Sequence, residues 1–279
     1  MVGCDGWLFL TEELRPWPGA EAAMERRAAA LGRLAARLRG RGIALLVAIT
    51  PDKARVNPER LCAARSSAQA AGRHAAFTAL LRQAGVDPVD WLTPLLEAKP
   101  AGPVHFRTDS HWSQRGAAIA AAALAAAAAG LPLSRAEAFR TQAAAAESEG
   151  PGDLLRLMSL DRLPDAWRPA ADRLRLETTR PEAAPVGGLL DEAPAPEVAL
   201  IGSSYSLAAN FHGRLQEALR SSVLNFAAAG GGFAGSARTF FASAAWRESP
   251  PRLVIWEVLE RALGQPIGAE EAAFLDSLP

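Results

Sequence analysis

The 279-residue chain is poor in the residue types that most often announce a function. Its two cysteines, Cys4 and Cys62, are too few for a disulfide scaffold or a C-x-x-C metal site. They can pair in an oxidising compartment or stand as two separate thiols. Four histidines and one tyrosine leave few side chains of catalytic type, and lysine is scarce. No charge of one sign dominates: 30 basic residues balance 30 acidic ones. That balance excludes the basic field that condenses on nucleic acid and the polybasic segment that holds a membrane surface. Long hydrophobic runs are missing as well. The alanine tract at 117–129 is shorter than the roughly 20 residues of a membrane span, and alanine is a weak membrane residue, so it reads as a buried or half-buried helix. The opening MVGCDGWLFL has no basic n-region, no long apolar stretch and no small-residue cleavage site, and so is not a signal peptide.

What is present is a 49% apolar composition, enough for a substantial core. Residues 21–40 read as a helix with Leu31, Leu34 and Leu38 on one face, followed by the continuous apolar run IALLVAIT (43–50) of a buried parallel strand. Helices are expected at 65–84 and 113–129, and a short strand from Val86 to Trp91. Beyond 197 the pattern is again regular: a strand EVALIG, a helix at 206–220, a strand SVLNFA (222–227), a glycine-rich turn GGGFAG (230–235), a helix at 236–246, a strand RLVIWEV (252–258) and a helix at 269–277. Strands alternating with helices predict an α/β fold, three-layered, with a mainly parallel sheet flanked by helices. The stretch 134–196, rich in Pro, Gly, Asp and Arg, reads as an insertion or surface subregion, with DRLRLETT (172–179) as its clear strand candidate. In such folds the site lies at the carboxyl ends of the strands, which puts 51–53, 202–206, 228–235 and 257–261 along one edge.

Two segments, one of them at that edge, carry chemistry. In IGSSYS (201–206) an apolar strand ends in Gly202 and serines open a helix, where backbone N–H groups face an acyl oxyanion. A plain helix cap explains the same serines, since serine is favoured there. In TDSHW (108–112), Asp109 can hold one ring nitrogen of His111 and leave the other free to deprotonate a hydroxyl. The competing explanations are an Asp cap for the helix near Ser113, a structural histidine, and a metal site built on His105, Asp109 and His111. The last lacks any second acidic or histidine cluster to complete its shell. Neither a metal nor a cofactor is expected.

GCDGWLFL (3–10), TPDKARVNPERL (50–61), TDSHWSQRGA (108–117), IGSSYS (201–206), NFAAAGGG (225–232) and VIWEVLERAL (254–263) resemble, in this order, successive blocks of the alginate O-acetyltransferase family, the AlgJ and AlgX proteins, which carry SGNH-hydrolase-like domains. The resemblance spans nearly the whole chain, with 134–196 matched least, and implies a single SGNH-like acetyltransferase domain over 1–279. It implies Asp109, His111 and Ser204 as acid, base and nucleophile, the reverse of the order in ordinary SGNH enzymes. Ser203 then shapes the elbow. For the oxyanion hole the expectation is the Ser204 N–H with an N–H of the Gly230–Gly232 turn (Gly231 or Gly232), with Tyr205 or Arg261 as substitutes for the asparagine of many SGNH enzymes. Trp7, Lys53 and Arg55 fall in matching blocks, to contact a sugar or to hold loops. Trp112 is expected beneath His111 or stacked on a pyranose, and Glu257 and Arg261, spaced i, i+4, suit a salt bridge.

The activity so implied is O-acetylation of hydroxyls on a bacterial exopolysaccharide through an acetyl-serine, with esterase activity as a side reaction. The implied partners are a polysaccharide acceptor and an MBOAT-type membrane acyltransferase that supplies acetyl groups; no nucleic acid is expected. The implied setting is periplasmic, with the chain anchored to the membrane through a segment outside these residues. An SGNH carbohydrate acetylesterase and a non-catalytic polysaccharide-binding component of an export complex are the alternatives.

Overall fold

The computed structural model describes residues 1–182 and 195–278. Among these residues eight strands form three sheets: β1 (Ala44–Thr50), β2 (Phe139–Ala143), β3 (Ser148–Glu149), β4 (Arg173–Leu174), β5 (Glu177–Pro181), β6 (Val198–Ile201), β7 (Val223–Asn225) and β8 (Leu253–Leu259). The central sheet has the order β1-β8-β6-β7, with every pairing parallel. Its strands are apolar on both faces because helices cover both. Alternation assigns each side chain to one of two cores. Val47, Ile49, Ala199, Ile201, Val254, Trp256 and Val258 pack with the helix Ala20–Gly40 and the aromatic group around Phe240 and Trp246. Ala48, Val198, Leu200, Leu253 and Ile255 pack with the helices Gln114–Ala127 and Phe211–Leu219 and with Trp91 and Trp112.

The alanine tract is therefore one side of a core. Ala117, Ala120, Ala121 and Leu124 are buried, and small side chains let this helix lie close to Phe211–Leu219. Among the described residues no helix is long and apolar enough to cross a membrane.

Several elements differ from expectation. Val86–Trp91 contributes a single bridge, Ala48 to Val89, because Pro88 interrupts its ladder. The helix expected at 236–246 is two, Gly235–Phe241 and Ala244–Glu248, with Ser243 capping the second through Trp246 N at 3.2 Å. In 172–179 the run splits into β4 and β5, which pair antiparallel with β3 and β2 in two small two-stranded sheets. Part of the expected subregion, 183–194, lies outside the described residues. Cys4 and Cys62 are joined in a disulfide, with Cα atoms 5.4 Å apart, tying the amino-terminal turn to the loop after β1.

Candidate active site

Asp109 and His111 stand at the tip of a tight hairpin. Ser113 N donates to the Val104 carbonyl (2.9 Å), Phe106 N donates to the His111 carbonyl (3.2 Å), and His105 bridges Trp112. The following helix begins so close to this hairpin that a Cβ on Gly116 would sit 2.2 Å from the Val104 oxygen. The helix is capped by Ser113, whose Oγ accepts from Gly116 N. Asp109 is thus released from capping, and its carboxylate turns to the imidazole.

Asp109 Oδ1 accepts from His111 Nδ1 (2.7 Å) and from the His111 N–H (3.0 Å), while Oδ2 accepts from Asp153 N (2.7 Å). Burial alone would raise its carboxyl. The hydrogen bond and charge of His111 and the two backbone donors outweigh burial and bring it down to about 2. An ionised Asp109 only accepts, so Nδ1 carries the proton and Nε2 is left as an acceptor. Nε2 lies 2.8 Å from Ser204 Oγ, across 93 residues of sequence.

Ser204 arrives there because β6 stops at Ile201 and the chain turns through one 3₁₀ turn, Ser204–Ser206. Capping falls to Ser203, whose Oγ accepts from Tyr205 N (3.1 Å). That leaves the Ser204 hydroxyl for His111, and the Ser204 N–H has no acceptor among the described residues. The elbow is tied down by Glu257 of β8. Its Oε1 accepts from Thr50 Oγ1 (2.7 Å) and Ser203 Oγ (3.0 Å), and its Oε2 from Ser203 N (2.5 Å) and Ser206 Oγ (3.1 Å). One buried carboxylate in the central strand so joins the ends of both neighbours, β1 and β6.

The main chain of the tip is held from every side. Lys53 Nζ donates to the carbonyls of Leu8 (2.6 Å), Arg107 (2.9 Å) and Asp109 (2.8 Å), and burial brings its ammonium down to about 8. Tyr205 donates its hydroxyl to the Ser110 carbonyl. Asp172 accepts from Arg107 N (2.8 Å), Thr108 N (2.8 Å) and Thr108 Oγ1 (2.7 Å). Asp153 accepts from Ser110 N (2.7 Å) and from the Ser110 hydroxyl.

The remaining candidates fall into place around this loop. Lys53 is fully buried and Arg55 forks onto Glu260 (2.9 and 2.5 Å), so both side chains hold loops. Trp112 is fully buried, edge-on to Tyr205, whose ring lies 4.9 Å from that of His111; no pyranose can stack on it. Trp7, Trp91, Trp246 and Trp256 are buried as well. The hydroxyl of Tyr205 is spent on the Ser110 carbonyl. The expected Glu257–Arg261 salt bridge does not form: Glu257 lies in a strand, where i, i+4 spacing brings no contact, and Arg261 stands 5.7 Å from the Tyr205 ring. Gly231 and Gly232 are exposed in a turn whose start is seated on the elbow by Ala228 N donating to the Gly202 carbonyl (3.0 Å).

His105 does not join Asp109 and His111 in a metal-binding set. It is buried with Nδ1 3.4 Å from Asn57 Nδ2, and burial with nearby positive charge lowers it to about 3. Among the described residues, Asp109, His111 and Asp153 are the groups whose ligand-capable atoms converge within 4.8 Å, and each of those groups is already engaged in hydrogen bonds. Asp153, Asp172, Ser110 and the elbow role of Glu257 escaped the sequence reading. Asp153 and Asp172 lie in the poorly patterned 134–196 stretch, and no spacing links them to residues 107–111.

A four-stranded parallel sheet with an Asp-x-His loop and a serine elbow at its carboxyl edge defines the SGNH-hydrolase-like class. Within it, residues 1–260 match the family described as the SGNH hydrolase-like domain of the acetyltransferase AlgX, and the chain belongs to that family. It is 38% identical over 269 residues to a Pseudomonas putida protein named probable alginate O-acetylase AlgJ, covering 94% of this chain and 70% of the relative. The AlgJ of Pseudomonas aeruginosa is 34% identical over 286 residues, covering 98% and 72%. The solved O-acetyltransferase domain of Pseudomonas putida AlgJ superposes with a TM-score of 0.87 at 35% identity, covering 100% of this chain and 99% of that one.

Proposed function

We propose that this chain is a single SGNH-like domain that transfers acetyl groups onto hydroxyls of a bacterial exopolysaccharide, with Ser204 as nucleophile, His111 as general base and Asp109 as the group that orients it. The observation that carries the reading is the unbroken line Asp109–His111–Ser204, with contacts of 2.7 and 2.8 Å. Relatives named alginate O-acetylases supply the reaction class.

In the first half-reaction Ser204 Oγ attacks the acetyl carbonyl and its proton passes to His111 Nε2. The Ser204 N–H, which is free among the described residues, is the proposed donor to the tetrahedral oxyanion, with an N–H of the Gly230–Gly232 turn as its partner. Collapse expels the donor's leaving group, which takes the proton from Nε2, and leaves acetyl-serine. A sugar hydroxyl then gives its proton to Nε2 and attacks the ester. The second collapse yields the O-acetyl sugar and returns the proton to Ser204. Water in place of the sugar gives hydrolysis.

The Cys4–Cys62 disulfide suits an oxidising, periplasmic setting. The acetyl donor there is an MBOAT-type membrane acyltransferase, by resemblance to the family. The acceptor is a polysaccharide of the kind its relatives' names indicate.

The test is p-nitrophenyl acetate turnover, with and without an acceptor oligosaccharide. The wild-type protein should release p-nitrophenol, acetylate the oligosaccharide, and lose both activities as S204A. An S204A protein that keeps full turnover sinks the triad. Acetate release indifferent to every acceptor replaces the transferase with an esterase.

A further inference from the structure

Asp153 is a second carboxylate beside His111 that the line through Asp109 leaves unused. It opens the short helix Asp153–Leu157 within the 134–196 stretch. Its Oδ2 lies 3.6 Å from His111 Nδ1, the nitrogen that Asp109 also holds. It contacts each residue of the tip: its N–H donates to Asp109 Oδ2 (2.7 Å), its carboxylate accepts from Ser110 N (2.7 Å) and the Ser110 hydroxyl, and it faces the His111 ring.

Asp172, from the same stretch, braces residues 107 and 108 through N–H and hydroxyl groups alone. Asp153 instead stands where a carboxylate is disfavoured: burial first, and then the neighbouring Asp109, push its carboxyl up. Two acids side by side repel until a positive charge appears between them. That charge appears when Ser204 hands its proton to His111.

We infer that Asp153 is a positioning residue of the acyl-transfer site, which sets His111 through Ser110 and Asp109 and stabilises the imidazolium formed as Ser204 attacks. The inference rests on the proposed role of Ser204. Because the interaction strengthens only as the imidazolium forms, its loss falls on kcat and leaves KM nearly alone. The same residue burdens the resting fold, since an acid raised above its unfolded value favours unfolding at neutral pH.

Steady-state kinetics on p-nitrophenyl acetate, thermal melting and kcat against pH, for wild type, D153N, D172N and S204A, test this. D153N should lose about 10-fold to 100-fold in kcat with KM within about 2-fold, somewhat less than the loss of a full oxyanion donor. Its Tm should equal or exceed that of wild type, because the amide keeps an acceptor for Ser110 and removes the repulsion. D172N should melt lower than wild type. The groups facing Asp153 are Asp109, His111, Lys53 and the Ser110 hydroxyl, and the acid-side fall of wild-type kcat should include a step that D153N lacks. Wild-type kcat in D153N beside an inactive S204A overturns the role of Asp153 alone. A D153N protein that melts lower or fails to fold makes Asp153 a brace like Asp172 and overturns it too. Full activity in S204A removes the triad and this inference with it.

Discussion

Lys53 and Asp109 meet through the main chain: the buried ammonium donates to the Asp109 carbonyl at 2.8 Å while the Asp109 carboxylate points the other way, to His111. A cation placed against the carboxylate itself would compete with the imidazole. Placed behind the loop, it fixes the loop and leaves the carboxylate to the histidine.

Removing that ammonium should loosen the whole tip. K53M leaves the Leu8 and Asp109 carbonyls buried without donors, while the Arg107 carbonyl keeps the N–H of Leu8. At roughly 1–3 kcal/mol for each orphaned group, the variant should lose about 2–6 kcal/mol in urea unfolding and turn over p-nitrophenyl acetate more slowly. Wild-type stability in K53M would show that the three contacts contribute little.

Gly202 is the residue on which the elbow turns. A Cβ there would lie 2.2 Å from Ser206 Oγ and 2.9 Å from Glu257 Oε2, inside the hydrogen bonds that anchor Ser203 and Ser206. G202A should therefore cost about 1–3 kcal/mol through overpacking. A shift of Ser204 by about 1 Å should also lower kcat/KM on the order of 100-fold. Melting and kinetics on one preparation check both, and a fully active G202A would mean that the elbow adjusts freely.

The buried histidine sets an acid limit. His105 has a folded value of about 3, well below that of an exposed histidine, so between those values the unfolded chain binds the extra proton and stability rises with pH. Its contribution is complete above about 6.5 and is lost as pH falls toward 3, on the order of 5 kcal/mol at about 1.36 kcal/mol per pH unit. Asp109, held at about 2, adds a smaller loss of the same sign beginning below about 4. Urea midpoints from pH 7 to 4 should fall steeply in wild type and less steeply in H105Q. Parallel slopes would count against His105.

The site was only partly legible in advance, for physical reasons. Asp109 and His111 are two residues apart, so local spacing suffices to suggest their pairing. The exchange of capping from Ser204 to Ser203 depends on Glu257 gripping Ser203 from another strand, and no local pattern carries that. The i, i+4 spacing of Glu257 and Arg261 misled because it has meaning on a helix, whereas Glu257 ends up inside β8. Trp7 and Trp112, the tryptophans weighed for sugar contact, are core residues, whereas Trp167 is exposed, since composition cannot tell an aromatic beneath a site from one lining it.

By itself the sequence determined the α/β alternation, the strands apolar on both faces and the placing of the serine segment at the carboxyl edge of the sheet. These follow from periodicity and chain-local chemistry. Only the tertiary structure decided that Ser204 Oγ meets His111 Nε2 across 93 residues, that Lys53 serves the loop and not a ligand, and that Asp153 comes to stand beside the imidazole. Those outcomes turn on angstrom-scale packing between segments distant in sequence. There the satisfaction of buried donors and acceptors fixes the geometry, and no local propensity encodes it.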